Sequence, residues 1–207
     1  MSPPSPGPQP PVLVLASASP RRAEILRSLR IPFTARPVDI PEEPLPGETA
    51  EAAAARLSGE KAAVAARRDP EAWILAADTL VFLDGAILGK PRDDVDAATM
   101  LRRLSGREHG VVTSVHLRHG DAAGRGVAEV SRVRFAPLDE DEIAWYVATG
   151  EPRDKAGAYG VQGLGARFID EIHGSFTNVM GLPARAVYRL LRASPDPALA
   201  LLALASG

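Results

Sequence analysis

Residues 12–29 read VLVLASASPRRAEILRSL. Val12 to Ala16 is a short apolar run of β-forming residues, the small-residue stretch SASP breaks it, and Ile25, Leu26 and Leu29 then fall on one face of a helix over Arg21 to Arg30. A strand, a tight loop and a helix in that order point to an α/β fold. With Ser19 as N-cap, Pro20 occupies the first helical position, where its missing N–H costs nothing, and Arg21 and Arg22 follow. The first turn is the positive end of the helix dipole, which disfavours an exposed cation by roughly 0.3–1 kcal/mol. Its free N–H groups make the same place an anion site. Two readings stay open from this segment. The guanidinium forks match phosphate oxygens and build a phosphate cradle, or they reach solvent and pair with Glu24 and other acids.

Working outward, Phe33 to Val38 suggests a second strand, followed by the Pro-rich acidic loop DIPEEPLPGET and an alanine-dense helix over Ala50 to Arg68. The stretch WILAADTLVFLDGAILGKP reads as a buried strand running into a hairpin, because Asp84-Gly85 supplies the positive φ values of a tight type I′ turn. A helix over Asp94 to Leu104 places Ala97, Met100, Leu101 and Leu104 on one stripe. GVVTSVHLR and GVAEVSRVRF are antiparallel strands joined by HGDAAG. Asp139 and Glu142 predict a capping box on the next helix, which Gly150 ends. Glu151 to Gly165 is a glycine-dense structured loop, and a last helix runs from Pro183 to Arg192 before a weakly helical tail. Early alternation of strands and helices with a central hairpin pair predicts a mixed sheet.

The chain has 207 residues, 45% hydrophobic and 24% charged, enough for one large domain or two small ones sharing a cleft. Its 24 Lys+Arg against 26 Asp+Glu give a net charge of −2, which argues against a general nucleic-acid binder and makes any basic site local. Without cysteine there are no disulfides, thiolate nucleophiles or cysteine zinc sites. The opening MSPPSPGPQPP lacks the charged and apolar regions of a signal peptide, and ALALLALAS is about half the ~20 residues a membrane span needs, so a soluble protein is expected.

Asp78 stands inside an apolar stretch, where an unpaired carboxylate is costly. It is hydrogen-bonded at a sheet end, paired with a cation or bound to metal, and a general base, a metal ligand and a turn cap all remain open. GAILGKP is one residue short of a phosphate loop, and Pro91 replaces the magnesium-binding hydroxyl, so Lys90 reaches a phosphate as a point charge or is solvated. The glycines at 157, 160, 163 and 165 do not match a dinucleotide fingerprint; they suggest close backbone approach to a ligand or another loop, with Gln162 able to donate and accept at a base edge. His109, His116, His119 and His173 lack metal spacing, and no Gly-x-Ser-x-Gly elbow exists. What remains is a set of cations (Arg21, Arg22, Lys61, Lys90, Lys155) with Asp78 and acids of the 42–43 loop, suited to phosphoanhydride chemistry if they converge.

Taken in order, LASASPRRAEIL, EKA, AADTLVFLDGAILGKPRD, MLRRLSG, HGVVTSV, GEPRDKAGAYGVQGLGARFI and GSFTNVMGLP resemble the Maf family of nucleoside triphosphate pyrophosphatases across Val12 to Leu191. ADT and KAGAYGVQG resemble the dTTP/UTP branch; the 7-methyl-GTP branch differs after the Asp and in the second block. The resemblance implies an α/β fold like that of inosine triphosphate pyrophosphatases, a mixed twisted sheet flanked by helices, elongated with a central cleft. It implies a single catalytic domain over 12–192 with two lobes; the proline content of residues 1–11, which lie outside the resemblance, suggests a disordered tail, and 193–207 is read as a C-terminal tail. It also implies that Asp78 is the proton acceptor, that Arg21, Thr79 and Gln162 set base preference, and that Ser19, Arg22, Lys61, Lys90 and Lys155 line the triphosphate site. The family uses a divalent cation, Mg2+ or Mn2+, and cleaves between the α- and β-phosphates. The implied ligands are Asp78 and Glu42; where relatives carry paired acids this chain has Pro41, which leaves Glu42 alone or shifts the role to Asp39 or Glu43. A cytoplasmic homodimer acting on a nucleoside triphosphate is expected, with no nucleic-acid or membrane partner. The alternatives are 7-methyl-GTP hydrolysis and a septum-formation inhibitor acting by protein contact.

Overall fold

The computed structural model describes residues 12–204; the proposed N-terminal tail, residues 1–11, and the last three residues lie outside it. Seven strands form one sheet: β1 (Leu13–Leu15), β2 (Thr34–Ala35), β3 (Trp73–Leu83), β4 (Ala86–Leu88), β5 (Glu108–His119), β6 (Arg125–Phe135) and β7 (Ile169–His173). Its order is β2-β1-β3-β5-β6-β7, with β4 also on β3. The β1–β2 and β1–β3 pairs are parallel and the rest antiparallel, so the sheet is mixed as predicted. The helices are α1 (Pro20–Ser28), α2 (Ala50–Arg68), α3 (Asp94–Leu104), α4 (Glu140–Ala148), α5 (Phe176–Met180), α6 (Ala184–Arg192) and α7 (Pro197–Leu202).

Strand β3 organises the molecule. Along one edge it pairs with β5 from Trp73 to Phe82, while on the other edge β1 covers only residues 73–75 and β4 only 81–83. Between these two partners no described strand pairs with the edge. Side chains alternate across the strand. Ile74 and Ala76 pack on Ala62, Ala65 and Ala66 of α2, and Leu80 packs on Ala50, Ala53 and Ala54 further along the same helix. On the opposite face Leu75 and Ala77 bury against Leu26, Val187 and Leu191, and Val81 and Leu83 against Ala97 and Leu101. The alanines of α2 have a tertiary reason here, since small side chains let a long helix lie close over two strands.

Several local readings hold: the Asp84-Gly85 turn has φ of 52° and 78°, and Asp139 and Glu142 form both halves of their capping box. Others need correction. The second strand shrinks from 33–38 to Thr34–Ala35, because Pro32 and Pro37 cannot donate to a ladder. Helix α1 stops at Ser28 with Leu29 as its C-cap, so Leu29 is exposed rather than in the apolar stripe. Ser19 is the N-cap, but its hydroxyl makes no capping bond. Helix α6 begins at Ala184, with Pro183 outside it. Beyond Arg192, α7 buries Leu199 and Leu202 in the cluster that holds Leu13, Leu15 and Leu26. Strand β7 and helix α5 had no counterpart in the sequence reading.

Candidate active site

The open edge of β3 is the floor of a cavity of about 630 Å3. Backbone groups of residues 73 and 75 turn toward β1, since Trp73 N–H donates to Val12 O and Ala16 N–H donates to Leu75 O. By the same alternation Ala77 and Thr79 turn theirs to the cavity. Ser19, Arg21 and Arg22 enter the wall from the β1–α1 loop and the first turn of α1, and Glu42 from the loop before α2. Lys61 comes from α2, Lys90 from the segment after β4, and Lys155 and Gln162 from the loop after α4. The residues expected to bind substrate or metal therefore all line one cavity, together with Asp78 and Thr79 of β3.

Asp78 and Lys61 are each 6% exposed and directly paired, Lys61 Nζ donating to Asp78 Oδ1 at 2.6 Å. Lys61 Nζ also donates to Glu42 Oε1 at 2.6 Å, and Lys90 Nζ donates to Glu42 Oε2 at 3.0 Å. A chain of alternating charge thus runs from the buried floor to the rim. The two carboxyl groups are driven apart. Burial pushes Asp78 up from the ordinary carboxylate range, more than the Lys61 and Arg22 charges pull it down. Burial also acts on Glu42, but hydrogen bonds and charge from Lys61 and Lys90 outweigh it and hold Glu42 at about 2. A carboxyl with raised proton affinity thus stands beside one that stays anionic, the kind of separation that acid–base chemistry uses.

The two arginines separate sharply. Arg22 donates from Nε to Gly181 O at 2.8 Å, from Nη1 to Ser17 Oγ at 3.1 Å and from Nη2 to Thr79 Oγ1 at 3.1 Å. Three of its five N–H donors are thereby committed to the protein, tying α1 to β3 and to the end of α5. Among the described residues Arg21 has a single long ion pair, 3.8 Å from Asp154. Thr79 faces away from Asp78, as neighbours on a strand must, and its hydroxyl also meets Thr113 Oγ1 at 2.9 Å. Lys155 Nζ donates to Glu151 O at 2.7 Å and to Asp154 Oδ1 at 2.6 Å. Ser19 donates its N–H to Ser17 Oγ at 3.2 Å and leaves its own hydroxyl at the cavity.

Asp154, Met180 and Gly181 also line the cavity and escaped the sequence reading. No local pattern marks them, because each is defined by what another segment brings to it. The described residues contain no group of three or more His, Cys, Asp or Glu side chains suited to a metal, and no described helix is long and apolar enough to cross a membrane.

The Maf-like protein family matches residues 12–194. A dTTP/UTP pyrophosphatase of Myxococcus xanthus is 50% identical over 188 residues, covering 90% of this chain and 94% of its own. Proteins of the same name from Geobacter metallireducens and Aromatoleum aromaticum are 49% and 47% identical, with 87% and 89% of this chain and 94% and 96% of theirs covered. A solved dITP/XTP pyrophosphatase of Mycobacterium abscessus is far more distant, 16% identical with a TM-score of 0.45 over 79% of this chain and 83% of that one. With the motif blocks in order, the cavity assembled from them and near-half identity along almost the whole chain, the protein belongs to the Maf family.

Proposed function

We propose that this chain hydrolyses the pyrimidine nucleoside triphosphates dTTP and UTP to the monophosphate and pyrophosphate, clearing excess or modified pyrimidine nucleotides from the cytoplasmic pool. The observation that carries the reading is Asp78, a buried carboxylate held by Lys61 at the floor of a cavity whose walls bring in Arg21, Lys90 and Lys155. Asp78 Oδ1 is engaged by Lys61. In the proposed reaction a water at that carboxylate loses its proton to Asp78 as its oxygen bonds to the α-phosphorus. The bond from the α-phosphorus to the bridging oxygen breaks, and the electron pair leaves with pyrophosphate. Lys61, Lys90 and Lys155 carry the charge of the polyphosphate, and Arg22 holds Thr79 and the Gly181 carbonyl in place beside it. Arg21, less constrained, and Gln162, exposed at the cavity edge, face the nucleoside.

The donor set suits a divalent cation. Asp78 and Glu42 are hard oxygen ligands sharing one ammonium, and Mg2+ usually takes one or two carboxylates with substrate phosphate oxygens rather than a full protein cage. These two side chains would hold it, and its chemistry there would be neutralisation of phosphate charge.

Pyrophosphate release from a panel of nucleoside triphosphates with Mg2+ or Mn2+ tests the reading, with dTTP and UTP expected to lead. Asp78→Asn should lower kcat by about 10³-fold, the order of a lost general base, without loss of folding. Wild-type turnover in that variant would overturn the assignment.

A further inference from the structure

The loop that carries Gln162 is pinned from below by one carboxylate. Glu151 Oε1 accepts from Tyr146 Oη at 2.8 Å and from Gly165 N–H at 3.2 Å, while Oε2 accepts from Leu164 N–H at 2.9 Å. Tyr146 Oη in turn accepts from Gly160 N–H at 3.1 Å. The chain is thus fastened at residue 160 and again at 164–165, and Gln162 stands midway between the fastenings. Gly163 N–H closes the turn onto Gly160 O at 3.3 Å.

The glycines of this segment serve the same carboxylate. A Cβ on Gly163 would lie 2.4 Å from Glu151 Oε1, and one on Gly165 would lie 2.6 Å from Tyr146 Oη. A Cβ on Gly160 would come to 3.0 Å from Glu151 Oε1. The close backbone approach implied by their spacing is therefore an approach to Glu151 and Tyr146. Burial alone would raise the Glu151 carboxyl, but the Leu164, Tyr146 and Gly165 donors hold it below its ordinary value, so it stays an acceptor-only anion.

We propose that Glu151, with Tyr146 behind it, is the positioning residue for nucleobase selection, setting the conformation in which Gln162 meets the base. This rests on the pyrimidine-selective reading above. Every partner of the Glu151 side chain is a donor, so an amide of the same shape must turn its NH2 group toward at least one of them. Glu151→Gln therefore releases one fastening with almost no change in volume.

The experiment compares kcat/KM for dTTP and UTP with that for CTP and GTP in wild type, Glu151→Gln, Gln162→Ala and the double variant, with product inhibition by pyrophosphate as a probe of the phosphate half. Glu151→Gln is expected to raise KM for the favoured nucleotides and to reduce the selectivity ratio roughly tenfold, as a misplaced contact does. Pyrophosphate inhibition should be unchanged, and the double variant should lose no more selectivity than Gln162→Ala. Equal loss on all nucleotides, or weakened pyrophosphate inhibition, would mean a general structural role and overturn the proposal. Additive loss in the double variant would do the same. Tyr146→Phe, which removes only the hydroxyl, should shift the ratio in the same direction and serves if Glu151→Gln folds poorly. If Gln162→Ala leaves selectivity intact, the role of Gln162 fails by itself, and the Glu151→Gln ratio still decides whether the pinned loop selects the base.

Discussion

His109 is 1% exposed; its Nε2 meets Tyr159 Oη at 2.8 Å, and its Nδ1 has no partner among the described residues. Burial pushes its pKa from 6.5 down to about 4. The native state thus refuses a proton that the unfolded chain accepts below pH 6.5. This contribution to stability is complete above that pH and is lost progressively as pH falls toward 4, on the order of 3 kcal/mol at about 1.4 kcal/mol per unit. Urea unfolding of His109→Gln at several pH values should show a flatter slope across that window and a lower plateau at neutral pH. A slope equal to wild type would place the acid sensitivity elsewhere. At the same scale, Asp78 was legible because one acid in an apolar run demands an explanation. Glu151 was not, because its meaning lies in two backbone N–H groups and a phenol that arrive only when α4 and the glycine loop fold together.

Among the elements, α7 had the least distinct sequence signal and yet docks firmly. Asp196 caps its first turn, accepting from Ala198 and Leu199 N–H, and accepts from Trp73 Nε1 at 2.9 Å. Leu199 and Leu202 are buried in the cluster beside β1. Truncation after Ser194 removes both leucines, each worth roughly 1.5–3 kcal/mol of burial. It should lower the thermal midpoint by about 10 °C for a chain of this size. An unchanged midpoint would show α7 to be dispensable. Helices α2 and α3 match their expected ranges, and both begin with a side-chain cap, Thr49 and Asp93. Strand β7 was missed because IDEIH has only two apolar positions and pairs solely with the end of β6.

For the molecule as a whole, a net charge of −2 coexists with a cavity entered by Arg21, Arg22, Lys61, Lys90 and Lys155. Attraction of a polyanion to such a site is local and screened by salt. Raising ionic strength from about 0.05 to 0.5 M should therefore lower kcat/KM several-fold, chiefly through KM. Lys90→Gln should weaken that dependence, since Lys90 is exposed at the rim. A salt-independent KM would argue that Lys61, Lys90 and Lys155 do not meet the substrate's phosphates. The amino-acid sequence by itself determined the mixed α/β class, the limits of α2 and α3, the hairpin and the residue types of the site, because capping, turn chemistry and hydrophobic period act over a few neighbouring residues. The tertiary structure alone decided that β3 keeps an open edge among the described residues, that Lys61 is shared by Asp78 and Glu42, that Arg22 is committed to the cavity floor while Arg21 is not, and that Gly160 and Gly163 pack against Glu151. Those outcomes depend on strand register and on helices packed across the sheet, which bring together groups as much as 159 positions apart in the chain.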